Sequence, residues 1–460
     1  MSIAQDRLAR IVIVRRGLSR LVFLTTAAPG AFSPRNLPLS VRWSFLLFIA
    51  LIAIEVSSLT KLSGFLFFAI YFFYHNPLSR KRSFPPIPPA MAWFMVYVAV
   101  YAMNGLFLPT EYLSQFFTGL FTLVQVIIFL WIASDILKEE KMAKKALLAY
   151  SIASVILALG FILSLPGFGV TGEVGSERAS AIGVSANLLG GIMALAMVVV
   201  LGLWLNLAHK RLVTGVWMFV SMLALSIASV STGSRVGFLM SMIGLSVYLV
   251  PYSKNRWRMS NVIVGIIAIA GFAYIAATSV VFSSRWREFS EAGDVAGRDK
   301  IFEEALDMIS ERPLVGWQPI QFKYELGRRT YTRAGRDAHN TYLHVLMEVV
   351  VVGAVPFLIG LWLCGQGAWK ARNRNLGLLP LALLVAVLAG SMGTNWMNHK
   401  TLWFVLAVSV AAGGERKRSG MILVGRPMRM AYKQLLNVGK VSDSRSQQRS
   451  PLDQNPTAKD

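Results

Sequence analysis

The sequence has almost no cysteine and little charge. Its single Cys, Cys364, excludes an intramolecular disulfide and any metal cluster built from cysteine. Asp, Glu, Lys and Arg make up 15% of the chain, well below the roughly 25% of soluble domains. Acidic residues are the scarcer half, 23 Asp and Glu against 46 Lys and Arg. A cleavable leader is not expected. The start is basic (Arg7, Arg10, Arg15, Arg16, Arg20), but residues 11–14 and 21–24 are too short for the apolar core of a signal peptide. The first membrane helix is expected to serve as the insertion signal instead.

Hydrophobic residues are abundant, at 55% with a mean hydropathy of +0.54. Runs of about 20 apolar residues recur along the chain, the signature of a polytopic helical membrane protein. A soluble reading would need a core far larger than one domain builds. The expected fold class is all-α, with about twelve transmembrane helices at 43–58, 62–74, 90–108, 112–133, 146–165, 187–207, 212–230, 236–250, 262–281, 343–363, 376–391 and 401–412. The expected organisation is a basic cytoplasmic N-terminus (1–42), a membrane domain (43–413) and a basic, mostly disordered cytoplasmic tail (414–460). Within the tail, 421–438 could form a basic amphipathic helix on anionic lipid, and 442–460 has almost no apolar content.

The net charge of +23 would suggest nucleic acid in a soluble protein. Here the basic residues fall in alternate loops, at Arg80-Lys81-Arg82, 138–145, Lys210-Arg211, 254–258, 370–374 and Arg416-Lys417-Arg418. This is the cytoplasmic pattern, and no nucleic-acid partner is expected. The opposite loops are poor in Lys and Arg, except for one long polar interval at 282–342. It carries several arginines on the outer face. Within it, residues 299–311 read as an amphipathic helix with Ile301, Phe302, Ala305, Leu306, Met308 and Ile309 as its apolar face. Pro313 ends it, because the residue before a proline is pushed out of the α region. The helix is expected on the membrane surface or packed across the bundle.

Four outer sites carry residues with chemistry. They are Glu177-Arg178 with Asn187, Ser234-Arg235-Val236-Gly237, Gly297-Arg298, and His339-Asn340. An arginine at a helix end commonly snorkels to the headgroups. Three on the side that usually lacks them suggest more: the guanidinium fork suits phosphate oxygens, and Arg178, Arg235 and Arg298 together could neutralise a lipid-linked diphosphate. His339 has two readings, a cap for the following helix or a general base for a sugar hydroxyl. Glu348 lies deeper, and an acid inside a membrane segment is a functional candidate or a buried structural hydrogen bond. His75, His209, His344 and His399 form no ligand set with His339, so no metal is expected.

Taken together, Arg178 to Gly183, Asn187, Ser234 to Gly237, Gly297-Arg298, Glu311 to Gly316 and the His339 to Leu343 stretch with Glu348 and Gly353 resemble the O-antigen ligase/polymerase family over roughly residues 172–412. Those are bacterial glycosyltransferases with many membrane helices and one large periplasmic loop, here 282–342. The resemblance implies metal- and cofactor-independent transfer of a glycan from undecaprenyl diphosphate to an acceptor hydroxyl. It also implies a site on the periplasmic side of the inner membrane, with both termini cytoplasmic. On that analogy Arg178, Arg235 and Arg298 contact the diphosphate and His339 is the base, with Asn187, Asn340 and Glu348 in support. Two departures stand out. The family often has Gly-x-Gly where this chain has Gly316-Trp317-Gln318, and Glu-x-Gly where it has Glu348-Val349-Val350.

Within that family a ligase would load the glycan onto a lipid A-core sugar. A polymerase would join it to a second lipid-linked repeat of O-antigen or exopolysaccharide. A protein oligosaccharide transferase is a third variant. Outside it, a transporter or flippase would carry charge near the bilayer midplane. Glu55 and Glu348 are the two candidates there, and the polar weight lies instead in one outer loop.

Overall fold

A computed structural model describes residues 37–55, 57–75, 84–165, 170–172, 179–181, 184–207, 209, 211–250, 259–292, 298–313, 316–332 and 335–414. Most of the expected N-terminus and tail, 421–438 included, lies outside these residues, as does Arg178.

Each of the twelve expected segments coincides with a helix. In order these are α1 (Leu39–Ile54), α2 (Ser57–Tyr74), α3 (Pro89–Gly105), α4 (Leu113–Ile136), α5 (Glu140–Ile162), α6 (Ala186–Leu205), α7 (Leu212–Ser231), α8 (Arg235–Ser246) and α9 (Met259–Thr278). After the long interval comes one helix of 31 residues at Thr341–Ala371, then helices at Leu379–Gly390 and Lys400–Gly413. Local chemistry sets many of the starts. Pro89 occupies the first turn of α3, where a missing N–H costs nothing. The side chains of Ser185, Ser234 and Asn340 accept hydrogen bonds from the first turns of the helices they precede. The first segment starts and ends about four residues earlier than expected. Glu55 takes a left-handed conformation (φ 59°) and stops α1 there.

Among the described residues, six helices are long and apolar enough to cross a membrane, within Thr110–Ile136, Glu140–Ile162, Ala186–Leu205, Leu212–Ser231, Asn261–Thr278 and Thr341–Ala371. The protein is thus a multi-pass helical membrane protein. Helix α6 is its centre: 83% of its most apolar window is buried, against 17% for the peripheral α9. It packs on α5, α7 and α8. The expected all-α class stands, with one small addition. A two-stranded antiparallel ribbon, β1 (Val170–Gly172) with β2 (Ala179–Ala181), links α5 to α6. The expectation missed it because three-residue strands carry too little alternation to read.

The long interval is mostly helical. Phe282, its expected start, lies inside α10 (Val280–Ala292). The expected amphipathic helix is present as α11 (Arg298–Glu311), followed by a short α12 (Gln321–Arg329) that the sequence reading missed. In α11, Ile301, Ala305 and Met308 are buried against α13 (Thr341–Ala371), so it packs on the bundle. Leu306, expected on the apolar face, is 58% exposed. It lies one position round from Ala305, outside the stripe that α13 covers.

Helix α13 is broken once. Val350 has φ 45° and ψ −154°, outside helical space. Gln318 has φ 69°. These are the two positions at which the resembled family often has glycine. A positive φ is routine for glycine and strained for other residues. The segments that carry them touch: a Cβ on Gly316 would lie 2.7 Å from Val350 Cγ2, and Trp317 N donates to Met347 O at 3.0 Å. The backbone therefore keeps the glycine conformation without the glycine, at about 1–3 kcal/mol per residue. Two variants test this. Val350→Gly and Val350→Ala both lose buried methyl groups, and in an ordinary helix Gly is about 1 kcal/mol worse than Ala. Here the order is expected to reverse, with Val350→Gly unfolding at the higher temperature in detergent.

Candidate active site

Two glycines bring the first pieces of the site together. A Cβ on Gly237 would lie 2.7–2.9 Å from backbone atoms of Gly190, so α8 and α6 cross with their backbones in contact. Ser234, just before α8, accepts from Gly237 N at 3.1 Å and donates to Asn187 Oδ1 at 3.2 Å. Asn187, expected as a supporting residue, is therefore tied to the Ser-Arg-x-Gly motif. Arg235 is the first residue of α8 and is half-buried.

The loop of residues 391–399, between α14 (Leu379–Gly390) and α15 (Lys400–Gly413), ties these to the rest. A Cβ on Gly393 would meet Val236 Cγ2 at 2.4 Å and Arg298 Nη1 at 3.3 Å. The guanidinium of Arg298 and the first turn of α8 thus close on the same glycine. Arg298, the first residue of α11, is half-buried. The loop also clamps the start of α13: Thr341 N donates to Ser391 O (2.8 Å), Thr341 Oγ1 donates to Thr394 O (3.2 Å), and Trp396 N donates to Thr341 Oγ1 (3.0 Å).

His339 stands next to this clamp. It is exposed and left-handed (φ 49°), and its N–H donates to Asp337 Oδ1 at 3.0 Å. Of its two sequence readings, the capping role belongs to its neighbour: Asn340 Oδ1 accepts from Tyr342 N (2.9 Å) and Leu343 N (3.2 Å). One turn deeper, His344 and Glu348 are buried, with His344 Nε2 3.2 Å from Glu348 Oε1. Tyr97 on α3 donates to Glu348 Oε2 at 3.4 Å. Asn395 Nδ2 reaches Asp337 Oδ2 (3.3 Å) and lies 3.0 Å from His344 Nδ1. Burial alone would raise the Asp337 carboxyl. The His344 ring, Lys323 and the His339 N–H outweigh it and hold that carboxyl below the usual carboxylate range.

Helices α11 and α12 cover this region. Ile301, Ala305 and Met308 form one apolar cluster with Trp317, Phe322, Leu326, Ala338 and Met347. Trp317 Nε1 donates to Met308 O at 2.7 Å, and the Arg312 guanidinium sits 4.0 Å over its ring. Arg329 bridges Glu311 and Glu325. Hydrogen bonds from Arg328, against some burial, and then from Arg329, bring the Glu325 carboxyl down to about 2. Across the gap, Gln115 Nε2 on α4 donates to Tyr324 OH at 2.8 Å, which fixes α12 to the bundle.

Of the expected site residues, Asn187 lies against the Ser234 turn, Arg298 closes on Gly393 beside Val236, and His339 with Asn340 opens the helix that this same loop holds. Glu348 belongs to a buried polar chain behind His339. The sequence reading missed Asp337, His344 and Asn395. The His344-Glu348 spacing of four, one face of a helix, was the available signal; Asn395 had none. Comparison with known families matches residues 220–358 to the family described as O-antigen ligase, which bears out the resemblance read from the motifs. That stretch includes Arg235, Arg298, His339 and Glu348 and stops before the 391–399 loop. No curated protein matches the chain.

Proposed function

We propose that this chain, matched to the O-antigen ligase family over residues 220–358, is a metal-independent membrane glycosyltransferase. It moves a glycan from an undecaprenyl-diphosphate carrier to an acceptor hydroxyl at the periplasmic face of the inner membrane. The acceptor is a lipid A-core sugar in the ligase reading and a second lipid-linked repeat in the polymerase reading. The family description favours the first. The bundle has about twelve spans with both termini cytoplasmic, so that the 282–342 interval is periplasmic.

The observation that carries this reading is the meeting of Arg298 with the first turn of α8 over Gly393, on the loop that clamps the His339-bearing end of α13. Arg235 and Arg298, with Arg178, hold the diphosphate. A guanidinium pairs two phosphate oxygens at once and stays charged. Fixed cations placed where the departing diphosphate gathers charge lower the barrier to its release. His339 takes the proton of the acceptor hydroxyl as its oxygen attacks the anomeric carbon, and the carrier leaves as the lipid diphosphate. Asn340 caps the helix that follows His339, Asn187 holds the Ser234 turn, and Glu348 lies behind them.

Arg235→Lys tests the phosphate role. It keeps the charge and loses the fork, so transfer is expected to fall by about 10-fold or more, the scale of one charge-assisted hydrogen bond. The measurement is the initial rate with purified protein and saturating acceptor. A wild-type rate would assign Arg235 to headgroup snorkelling.

A further inference from the structure

The buried chain behind His339 is more than helix packing requires. Glu348 and His344 are 4% and 2% exposed, and buried polar groups are costly unless hydrogen-bonded. Apolar side chains would fill the same space without that cost. The polar side chains form one connected series. From the inside outward, Tyr97 OH donates to Glu348 Oε2 and Asn104 Nδ2 donates to Glu348 O, both at 3.4 Å. Glu348 Oε1 faces His344 Nε2 at 3.2 Å. His344 Nδ1 meets Asn395 Nδ2 at 3.0 Å and lies 3.8 Å from Asp337 Oδ1. Asn395 is itself oriented, because its Oδ1 accepts from Met397 N at 3.1 Å. The chain ends at Asp337, whose Oδ1 accepts the His339 N–H.

That last bond closes a turn in which an Asp side chain mimics a backbone carbonyl two residues on. It holds His339 at φ 49°, a conformation few non-glycine residues keep unaided. We propose that Glu348, His344 and Asn395 are positioning residues: they fix the Asp337 carboxylate, which fixes the left-handed turn that presents the His339 ring. None of them touches substrate. The proposal rests on the reading above for its effect on transfer, and not for its effect on the shape of the turn.

The test uses the full-length protein purified in detergent, as wild type, Glu348→Gln and Asp337→Asn. Glu348→Gln keeps the shape and replaces a carboxyl oxygen with an amide NH2 at the buried end. Asp337→Asn keeps an acceptor for the His339 N–H and removes the carboxylate that the brace holds. Two readouts are taken on folded protein: the rate at which diethyl pyrocarbonate modifies His339, followed by peptide mass spectrometry, and the separate kcat and KM for transfer. In both variants the His339 modification rate is expected to depart several-fold from wild type. The kcat is expected to fall by about 10- to 100-fold, the range for losing a supporting contact to a functional group, with KM for the carrier unchanged. A wild-type modification rate in both variants overturns the proposal, as does a loss confined to KM. If wild-type protein shows no transfer, the function reading fails, and the labelling alone still decides whether the brace shapes the His339 turn.

Discussion

His339→Ala is expected to lower glycan transfer by about 10²- to 10⁴-fold, the contribution of a positioned general base, while the protein still inserts and folds. The folding half follows from the geometry. The ring is exposed, and the bond that holds the turn is made by the backbone N–H to Asp337. Helix α13 is capped by Asn340, so alanine at 339 removes no capping group. Residual activity is expected from the arginines, which in the proposed reading still bind the diphosphate and favour its departure. The check is product formation per mole of purified protein, with its level in membranes as the control. Near-normal product in the mutant would remove His339 as the base and leave it a surface residue of the turn.

The second large effect is on assembly. Gly237→Ala places a methyl 2.7–2.9 Å from the backbone of Gly190. No rotamer relieves that contact, because the obstacle is main chain on the most buried helix. Helices α6 and α8 must move apart, at about 1–3 kcal/mol for overpacking a close-packed contact. The movement strikes the site directly, since it separates Ser234 from Asn187 and shifts Val236 against Gly393. A lower unfolding temperature in detergent and reduced transfer are expected together. Gly215 supplies the contrast. It lies within α7 with nothing within 4 Å of an added Cβ, so Gly215→Ala is expected to be neutral or to gain up to about 1 kcal/mol from helix propensity. Equal unfolding temperatures for the two variants would contradict the close crossing.

Much of this fold was legible because membrane helices are written as uninterrupted apolar runs, and each expected segment found its helix. The α11 helix was legible too, from the spacing of Ile301, Ala305 and Met308. Elements held by contacts outside themselves were not. Helix α12 is nine residues long and strongly polar. It is fixed by Phe322 and Leu326 in the cluster under Trp317 and by Tyr324 against Gln115. The ribbon before α6 is shorter still. For the candidate site, residue type pointed to Arg235, Arg298 and His339, because arginines in loops expected on the outer face, with a histidine before an apolar segment, suggest more than snorkelling and capping. The loop of residues 391–399 was read only as a connection poor in Lys and Arg. Its Gly393 and Asn395 become informative when chain segments about 50 to 150 residues apart meet on them. The two missing family glycines show the reverse case. Val350 and Gln318 stand out in the sequence as departures from the family pattern, and the backbone at both has positive φ all the same.

The most direct test of the central claim is a reconstituted reaction. Purified full-length protein is mixed in detergent with an undecaprenyl-diphosphate-linked glycan, either lipid A-core or a second lipid-linked repeat, and a chelator. The product is followed by mass shift of the acceptor and by release of undecaprenyl diphosphate. One glycan is expected to be transferred per carrier released, insensitive to the chelator and lost in His339→Ala. Transfer to lipid A-core identifies a ligase, and transfer to the second repeat a polymerase. Active protein that moves lipid-linked glycan across a vesicle membrane, and releases no carrier diphosphate with either acceptor, would contradict the account.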